Sequence, residues 1–251
     1  MDESLRLWHR LRPATLWLLE TMIHCLHGAV GSYRDWETFG KDLGESVNPV
    51  DLWRLFDEEN PSLTEAGQSI CNTADSGDVL LGYSMGGRLA LHALLADPEK
   101  WRAAIIISAH PGLIEGQKER LVRDRDWAEL SQRDWEAFRS QWNQQSILAS
   151  LPNGLHQAES RDQKPVSQSF LYWSLGTQKN LRSKLSQITC PVLWITGAKD
   201  TKFTALAEEV SGLLSDNQHL VIRGAGHRVP WDQSKGFSAA VEDFLKRLPE
   251  S

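Results

Sequence analysis

The chain has 251 residues, 41% of them apolar and 24% charged, and 27 Lys and Arg against 33 Asp and Glu leave a net charge of −6. That length holds one sizeable core, which excludes a stapled miniprotein; the composition excludes global disorder, and the acidic balance with interleaved signs argues against a nucleic-acid surface. No apolar run approaches the ~20 residues of a membrane span, the acidic opening Met1-Asp2-Glu3 is unlike a signal peptide, and the widely spaced Cys25, Cys71 and Cys190 fit neither a disulfide framework nor a CxxC metal site, so a soluble, cytoplasmic protein is expected.

Residues 1–20, interrupted by Pro13, fit a helix or an edge hairpin. Beyond them, β-rich apolar runs at 22–26, 79–83, 103–108, 192–196 and 219–222 alternate with helical patterns at 33–43, 63–74, 85–95, 203–214 and 234–248. Such alternation predicts an α/β fold, a mostly parallel sheet with helices on both faces. Residues 112–188 break it: they are polar, rich in Gln, Arg and Trp, and repeat apolar residues at helical spacing (Trp127, Leu130, Trp135, Phe138, Trp142). They read as a helical cap inserted into a core of 1–111 and 189–251, lying over the sheet edge where α/β proteins bind ligands.

Gly82-Tyr83-Ser84-Met85-Gly86-Gly87 stands between a predicted strand and a predicted helix. Glycines two before and two after a serine permit the strained strand-to-helix turn that lifts its hydroxyl out of the sheet. Alone, GxSxG is also an ordinary glycine turn. Three other strand ends, however, carry matching chemistry. His27-Gly28 precedes a loop suited to an oxyanion hole, with the Ala29 and Met85 amides as the two donors; Asp200 follows the fourth predicted strand, and Gly224-Ala225-Gly226-His227 follows the fifth. The order is Ser, Asp, His, with 116 residues from Ser84 to Asp200 and 27 from Asp200 to His227, the order found in α/β-hydrolases. His24, His27 and His110 lack a comparable carboxylate partner. Arg88 lies one helical turn after Ser84, and Arg120 and Arg161 fall in the cap. Each could be a surface residue paired with Asp or Glu, but together, in an acidic protein, they suggest a substrate with several carboxylates, which guanidinium forks grip bidentately.

The blocks Gly82-Tyr83-Ser84-Met85-Gly86-Gly87-Arg88, His110-Pro111-Gly112-Leu113, Glu119-Arg120, Asp126-Trp127-Ala128, Trp142 with Gln144-Gln145, Asp200-Thr201-Lys202-Phe203 and Gly224-Ala225-Gly226-His227 resemble the 2-succinyl-6-hydroxy-2,4-cyclohexadiene-1-carboxylate synthase family. Its members are α/β-hydrolase-fold lyases of menaquinone or phylloquinone biosynthesis. The resemblance implies a triad of Ser84, Asp200 and His227, oxyanion donors Ala29 and Met85, carboxylate-binding Arg88, Arg120 and Arg161, and pocket residues Tyr83 and Trp142. It implies no cofactor or metal, a small polycarboxylate substrate, no nucleic-acid or membrane partner, and a monomer. One departure stands out. Where the family has Asp-x-Pro-Gly-His-Gly, this chain reads Val50-Asp51-Leu52-Trp53-Arg54, so the conformation of that rim loop is open.

The implied reaction is elimination of pyruvate by proton abstraction, Ser84 acting as base with its proton drawn by His227 and an enolate held by the two amides. The competing readings are a carboxylesterase or carbon–carbon bond hydrolase with the same triad, and a non-catalytic binding protein.

Overall fold

A computed structural model describes residues 21–43, 45–148 and 155–249; the expectation for residues 1–20 lies outside them. Six strands, β1 (Ile23–Leu26), β2 (Val47–Val50), β3 (Val79–Tyr83), β4 (Ala103–Ile107), β5 (Val192–Gly197) and β6 (Asn217–Ile222), form one sheet in the order β2-β1-β3-β4-β5-β6. Every pairing is parallel. β3, β4 and β5 are buried throughout, as continuous apolar strands covered on both faces must be. Their side chains alternate between two layers. Leu80, Ala104, Ile106 and Trp194 pack towards α2 (Leu63–Thr73), α3 (Met85–Ala96) and α7 (Thr201–Ser211). Leu81, Ile105, Ile107 and Ile195 pack against Trp36, Phe39, Phe237 and Phe244 of the opposite face, which carries α1 (Phe39–Leu43), α8 (Val229–Asp232) and α9 (Ser234–Lys246). Each fully buried Leu or Ile contributes ~1.5–3 kcal/mol relative to exposure.

Two expectations needed revision. β2 is an additional strand: it is a half-exposed edge carrying Pro49, and proline weakens a strand pattern although an edge tolerates it. The helix expected over 33–43 is split into a 3-10 turn, Tyr33–Trp36, and the short α1, because Asp35 folds back on the Ser32 amide in a capping box and Gly40 weakens the second half.

Between β4 and β5 lie α4 (Gln117–Arg133), α5 (Trp135–Asn143) and α6 (Gln163–Tyr172). Their apolar residues Phe138, Val166, Phe170 and Trp173 join the α2–α3 layer in one cluster. Trp173 packs on Phe56, the rings tilted by 40° with centroids 4.4 Å apart, and donates from Nε1 to the Pro61 carbonyl at 2.9 Å. No described helix is long and apolar enough to cross a membrane. The three cysteines are buried free thiols.

β1 leads out to β2, and the chain then returns across β1 to β3. The crevice beyond the C-terminal ends of β1 and β3 is therefore the switch point at which open α/β sheets bind ligands.

Candidate active site

β3 passes directly into α3 through Ser84, whose φ of 52° and ψ of −106° lie where L side chains are strained. The turn is tight. A Cβ on Gly82 would stand 2.5 Å from the Gly86 carbonyl oxygen, and one on Gly86 would stand 2.5 Å from the His27 carbonyl oxygen. No side chain fits either place, which is the physical content of the glycine spacing. Ser84 Oγ lies 3.0 Å from His227 Nε2, and His227 Nδ1 lies 2.6 Å from Asp200 Oδ2. With the carboxylate accepting from Nδ1–H, Nε2 is the acceptor that faces the hydroxyl. Asp200 follows β5 by three residues and caps α7 by accepting from the Phe203 amide at 3.3 Å. The Phe203 and Tyr83 rings flank the imidazole at centroid distances of 4.6 and 5.7 Å. Both Asp200 and His227 are buried.

The Met85 amide opens α3, where first-turn N–H groups have no intrahelical acceptor and the helix dipole favours negative charge. Ala29 sits opposite, in the loop after β1. That loop is held from several sides: Gly31 N donates to the Gly28 carbonyl at 3.1 Å, Ala158 N to the Val30 carbonyl at 2.9 Å, and Trp53 Nε1 to the Gly31 carbonyl at 3.0 Å. These contacts keep Val30, a β-branched residue, at a φ of 56°. His27 braces the same loop. Its Nδ1 donates to the Gly28 carbonyl at 2.9 Å and its Nε2 accepts from the Leu52 amide at 3.3 Å; burial lowers its pKa to about 4, so it stays neutral. The open question at 50–54 is answered by these contacts: Asp51 caps a 3-10 turn, Leu52–Phe56, through the Trp53 amide, and Trp53 packs on His27 at 4.8 Å.

Gly28, Ala29, Tyr83, Ser84, Met85 and His227 line a cavity of about 490 Å³, whose other wall comes from the helical insertion. Arg88, Arg120, Arg123, Lys202 and Arg228 line it as well, against the carboxylates of Asp35 and Asp124. Arg88 is buried. It donates from Nε to Gln178 Oε1 at 2.6 Å and from Nη2 to the Trp173 carbonyl; burial and then Arg120 lower its pKa to about 9, which leaves it charged at neutral pH. Arg120 grips both oxygens of Asp124 through Nε, at 2.8 and 2.7 Å, and Asp124 also accepts from Ser174 Oγ at 2.7 Å. Trp142 reaches the cavity between Trp127 and Phe170, at 5.5 and 5.3 Å. His110, whose Nδ1 accepts from the Gly112 amide at 3.1 Å, is held neutral, its pKa lowered to about 3 by burial and by Lys202, Arg182, Arg88 and Arg120. Among the described residues no group of three or more His, Cys, Asp or Glu side chains is placed to hold a metal ion.

The sequence profile described as the alpha/beta hydrolase family matches residues 25–240. The chain belongs to the alpha/beta hydrolase family. Within it, the chain groups with the 2-succinyl-6-hydroxy-2,4-cyclohexadiene-1-carboxylate synthases. The putative synthase of that name from Bacillus subtilis is 30% identical over 246 residues, covering 89% of this chain and 90% of the other. The synthase of Salmonella agona is 31% identical over 248 residues, covering 88% and 92%. The fold is that of MenH from S. aureus, at a TM-score of 0.76 and 22% identity over 90% of this chain and 93% of that one.

Of the residues singled out in the sequence, Ser84, Asp200, His227, Ala29, Met85, Tyr83, Arg88, Arg120 and Trp142 come together at this hydrolase-family cavity or directly behind it. Arg161 does not. It stands on the surface with 61% of its side chain exposed, beside Glu159 and Asp162 at 3.4 and 3.8 Å, and is not among the residues lining the cavity. Arg123, Lys202, Arg228 and Asp35 line it without having been singled out. Arg123 could have been found from its i,i+3 spacing to Arg120; for Lys202 and Arg228 the signal was their adjacency to Asp200 and His227, and for Asp35 there was none.

Proposed function

We propose that this protein eliminates pyruvate from 2-succinyl-5-enolpyruvyl-6-hydroxy-3-cyclohexene-1-carboxylate, giving 2-succinyl-6-hydroxy-2,4-cyclohexadiene-1-carboxylate for menaquinone or phylloquinone biosynthesis. The observation that carries this reading is the meeting of a Ser84–His227–Asp200 hydrogen-bonded chain with a cavity wall of five cationic side chains, in a protein whose net charge is −6. The substrate carries three carboxylates. In this reading Arg88 and Arg120 take two of them.

In this mechanism Ser84, its proton drawn by His227, removes the ring proton α to the succinyl ketone; Asp200 orients the imidazole and stabilises it when charged. The Ala29 and Met85 amides hold the enolate oxygen, each worth ~3–4 kcal/mol to the transition state. Collapse of the dienolate breaks the ring carbon–oxygen bond, and the departing pyruvate enolate takes back the proton. No acyl-enzyme forms and no cofactor is required. Residues 112–188 act as the cap that closes the cavity, and the protein works as a cytoplasmic monomer.

The test is pyruvate release from the enolpyruvyl substrate, followed through lactate dehydrogenase. Stoichiometric pyruvate together with the diene product is the expected result. Ester hydrolysis without pyruvate would return the protein to the esterase reading.

A further inference from the structure

Two cationic groups of the cavity are buried, and they come from different elements, Arg88 from α3 and Arg228 from the turn between His227 and α8. Arg88 belongs to α3, whose apolar residues pack in one layer, and its electrostatic neighbours are Arg120 and Asp124. Arg228 is as buried as Arg88, but it precedes Val229, which packs in the other layer with Tyr83, and it acts electrostatically on Tyr83 and Asp35. Ser84, Arg88 and Arg228 all line that cavity. The cavity therefore has two buried cations, one on α3 and one next to His227 in the chain, whereas a ligand bound by Arg88 and Arg120 alone would use only the first.

We propose that Arg228 is a second carboxylate subsite, receiving the carboxylate that departs with pyruvate while Arg88 and Arg120 hold the two that remain on the ring product. The proposal rests on the pyruvate-eliminating reading above. Arg228 directly follows His227, the group that holds the abstracted proton. The methylene carbon of the leaving enolate, which must take that proton, lies two bonds from its carboxylate carbon. In the proposal, gripping this carboxylate within the cavity that His227 also lines keeps the methylene within reach of the imidazolium. The proton removed from the ring ends on the pyruvate methyl group, and the broken carbon–oxygen bond leaves its electron pair on the enolate, so the exchange balances.

The surroundings of Arg228 suit this role. Nη2 donates to Asn143 Oδ1 of α5 at 3.2 Å, which ties the guanidinium to the insertion. Asp35 lies within electrostatic reach of the guanidinium. Its carboxyl accepts from the His156 and Ser32 amides at 2.7 and 3.3 Å, and burial pushes its pKa up to about 7. Arg161, by contrast, lies outside the cavity lining, so it does not supply this third contact.

The test compares Arg228→Gln, Arg228→Lys and Asn143→Ala with wild type in three measurements: kcat/KM for pyruvate release, the Kd of the dicarboxylate ring product, and inhibition by pyruvate. Arg228→Gln is expected to lower kcat/KM by ~10- to 100-fold, the range for losing a charged hydrogen bond, and to weaken pyruvate inhibition comparably. Its product Kd should stay within about 2-fold, which also shows that the variant is folded. The Lys variant should recover part of the loss, since it restores charge without the fork. Asn143→Ala, which removes the tether but keeps the guanidinium, should weaken pyruvate inhibition less than Arg228→Gln does, and an equal or larger weakening would count against Arg228 as the contact. Product binding that falls in step with substrate handling, or pyruvate inhibition unchanged in Arg228→Gln, would overturn the subsite while leaving pyruvate elimination standing. A wild-type protein that released no pyruvate would remove the underlying reading and this subsite with it.

Discussion

The wall of the cavity made by strand ends and the wall made by the helical insertion hold their side chains in different ways. On the first, Ser84, Met85, Ala29, Asp200 and His227 sit within a few residues of the end of a parallel strand, and backbone closeness fixes the turn and the loop beside Ser84: no Cβ fits at Gly82 or Gly86, and Val30 is held at positive φ by three surrounding hydrogen bonds. On the second, Arg120, Arg123 and Trp142 stand on helices at the ends of long side chains, held by an Asp124 carboxylate and by aromatic edges. The first arrangement suits atoms that must be placed within tenths of an ångström, and the second suits recognition of charge, which tolerates adjustment. Chemistry and specificity should therefore separate by wall under mutation.

The largest effects are expected on the strand-end wall. Ser84→Ala and His227→Ala should each lower pyruvate release by ~10²–10⁴ or more, and the double variant should be no worse than the poorer single one, because the pair acts as a unit. Losses that multiply would mean the two residues act independently. Gly86→Ala comes next. Forcing a methyl group against the Leu26 and His27 carbonyl oxygens, each 2.5 Å away, should destabilise the fold by ~2–4 kcal/mol in denaturant titration, whereas Arg161→Ala should stay within ~0.5 kcal/mol as an exposed site. A tolerated Gly86→Ala would show that the strand-end wall is less rigid than its contacts imply.

On the insertion wall, Arg120→Ala should cost ~1.5–3 kcal/mol in kcat/KM for the charged substrate, with partial recovery in Arg120→Lys. Turnover of any neutral p-nitrophenyl ester should change much less. Equal losses on both substrates would mean that Arg120 serves the fold through Asp124 and not the ligand.

The smallest effect concerns pH. His110 and His27 are neutral in the folded protein, with pKa values lowered by burial to about 3 and about 4. A histidine with a lowered folded value contributes stability that is present above its unfolded pKa of ~6.5 and lost as pH falls towards the folded value. Asp35, raised to about 7 by burial, works in the opposite direction, stabilising as pH falls from 7 towards ~4. The two histidines should prevail, so the urea midpoint should drop between pH 7.5 and 5, and the drop should be smaller in His110→Gln. An undiminished drop in that variant would contradict the assignment of His110 as neutral.

What could be read from the sequence follows the same division. β1, β3, β4 and β5 announced themselves as β-rich apolar runs because strands buried on both faces need them, whereas β2, half-exposed and interrupted by Pro49, carried no such pattern. Ser84, Asp200 and His227 were legible because glycine spacing and chain order reflect backbone constraints that few sequences satisfy. Arg161 and Arg228 were not, because the place of an arginine depends on which way its local segment is turned, and composition holds no trace of that. Arg161 is turned to solvent beside Glu159, while Arg228 is buried and bonded to Asn143 of α5.

The separation of chemistry from recognition is tested most directly by calorimetric binding of the dicarboxylate ring product to wild type, Ser84→Ala and Arg120→Ala. The account predicts that Ser84→Ala, though unable to release pyruvate, binds the product within about 3-fold of wild type, and that Arg120→Ala binds it ~10- to 100-fold more weakly. Equal loss of binding in the two variants would contradict it.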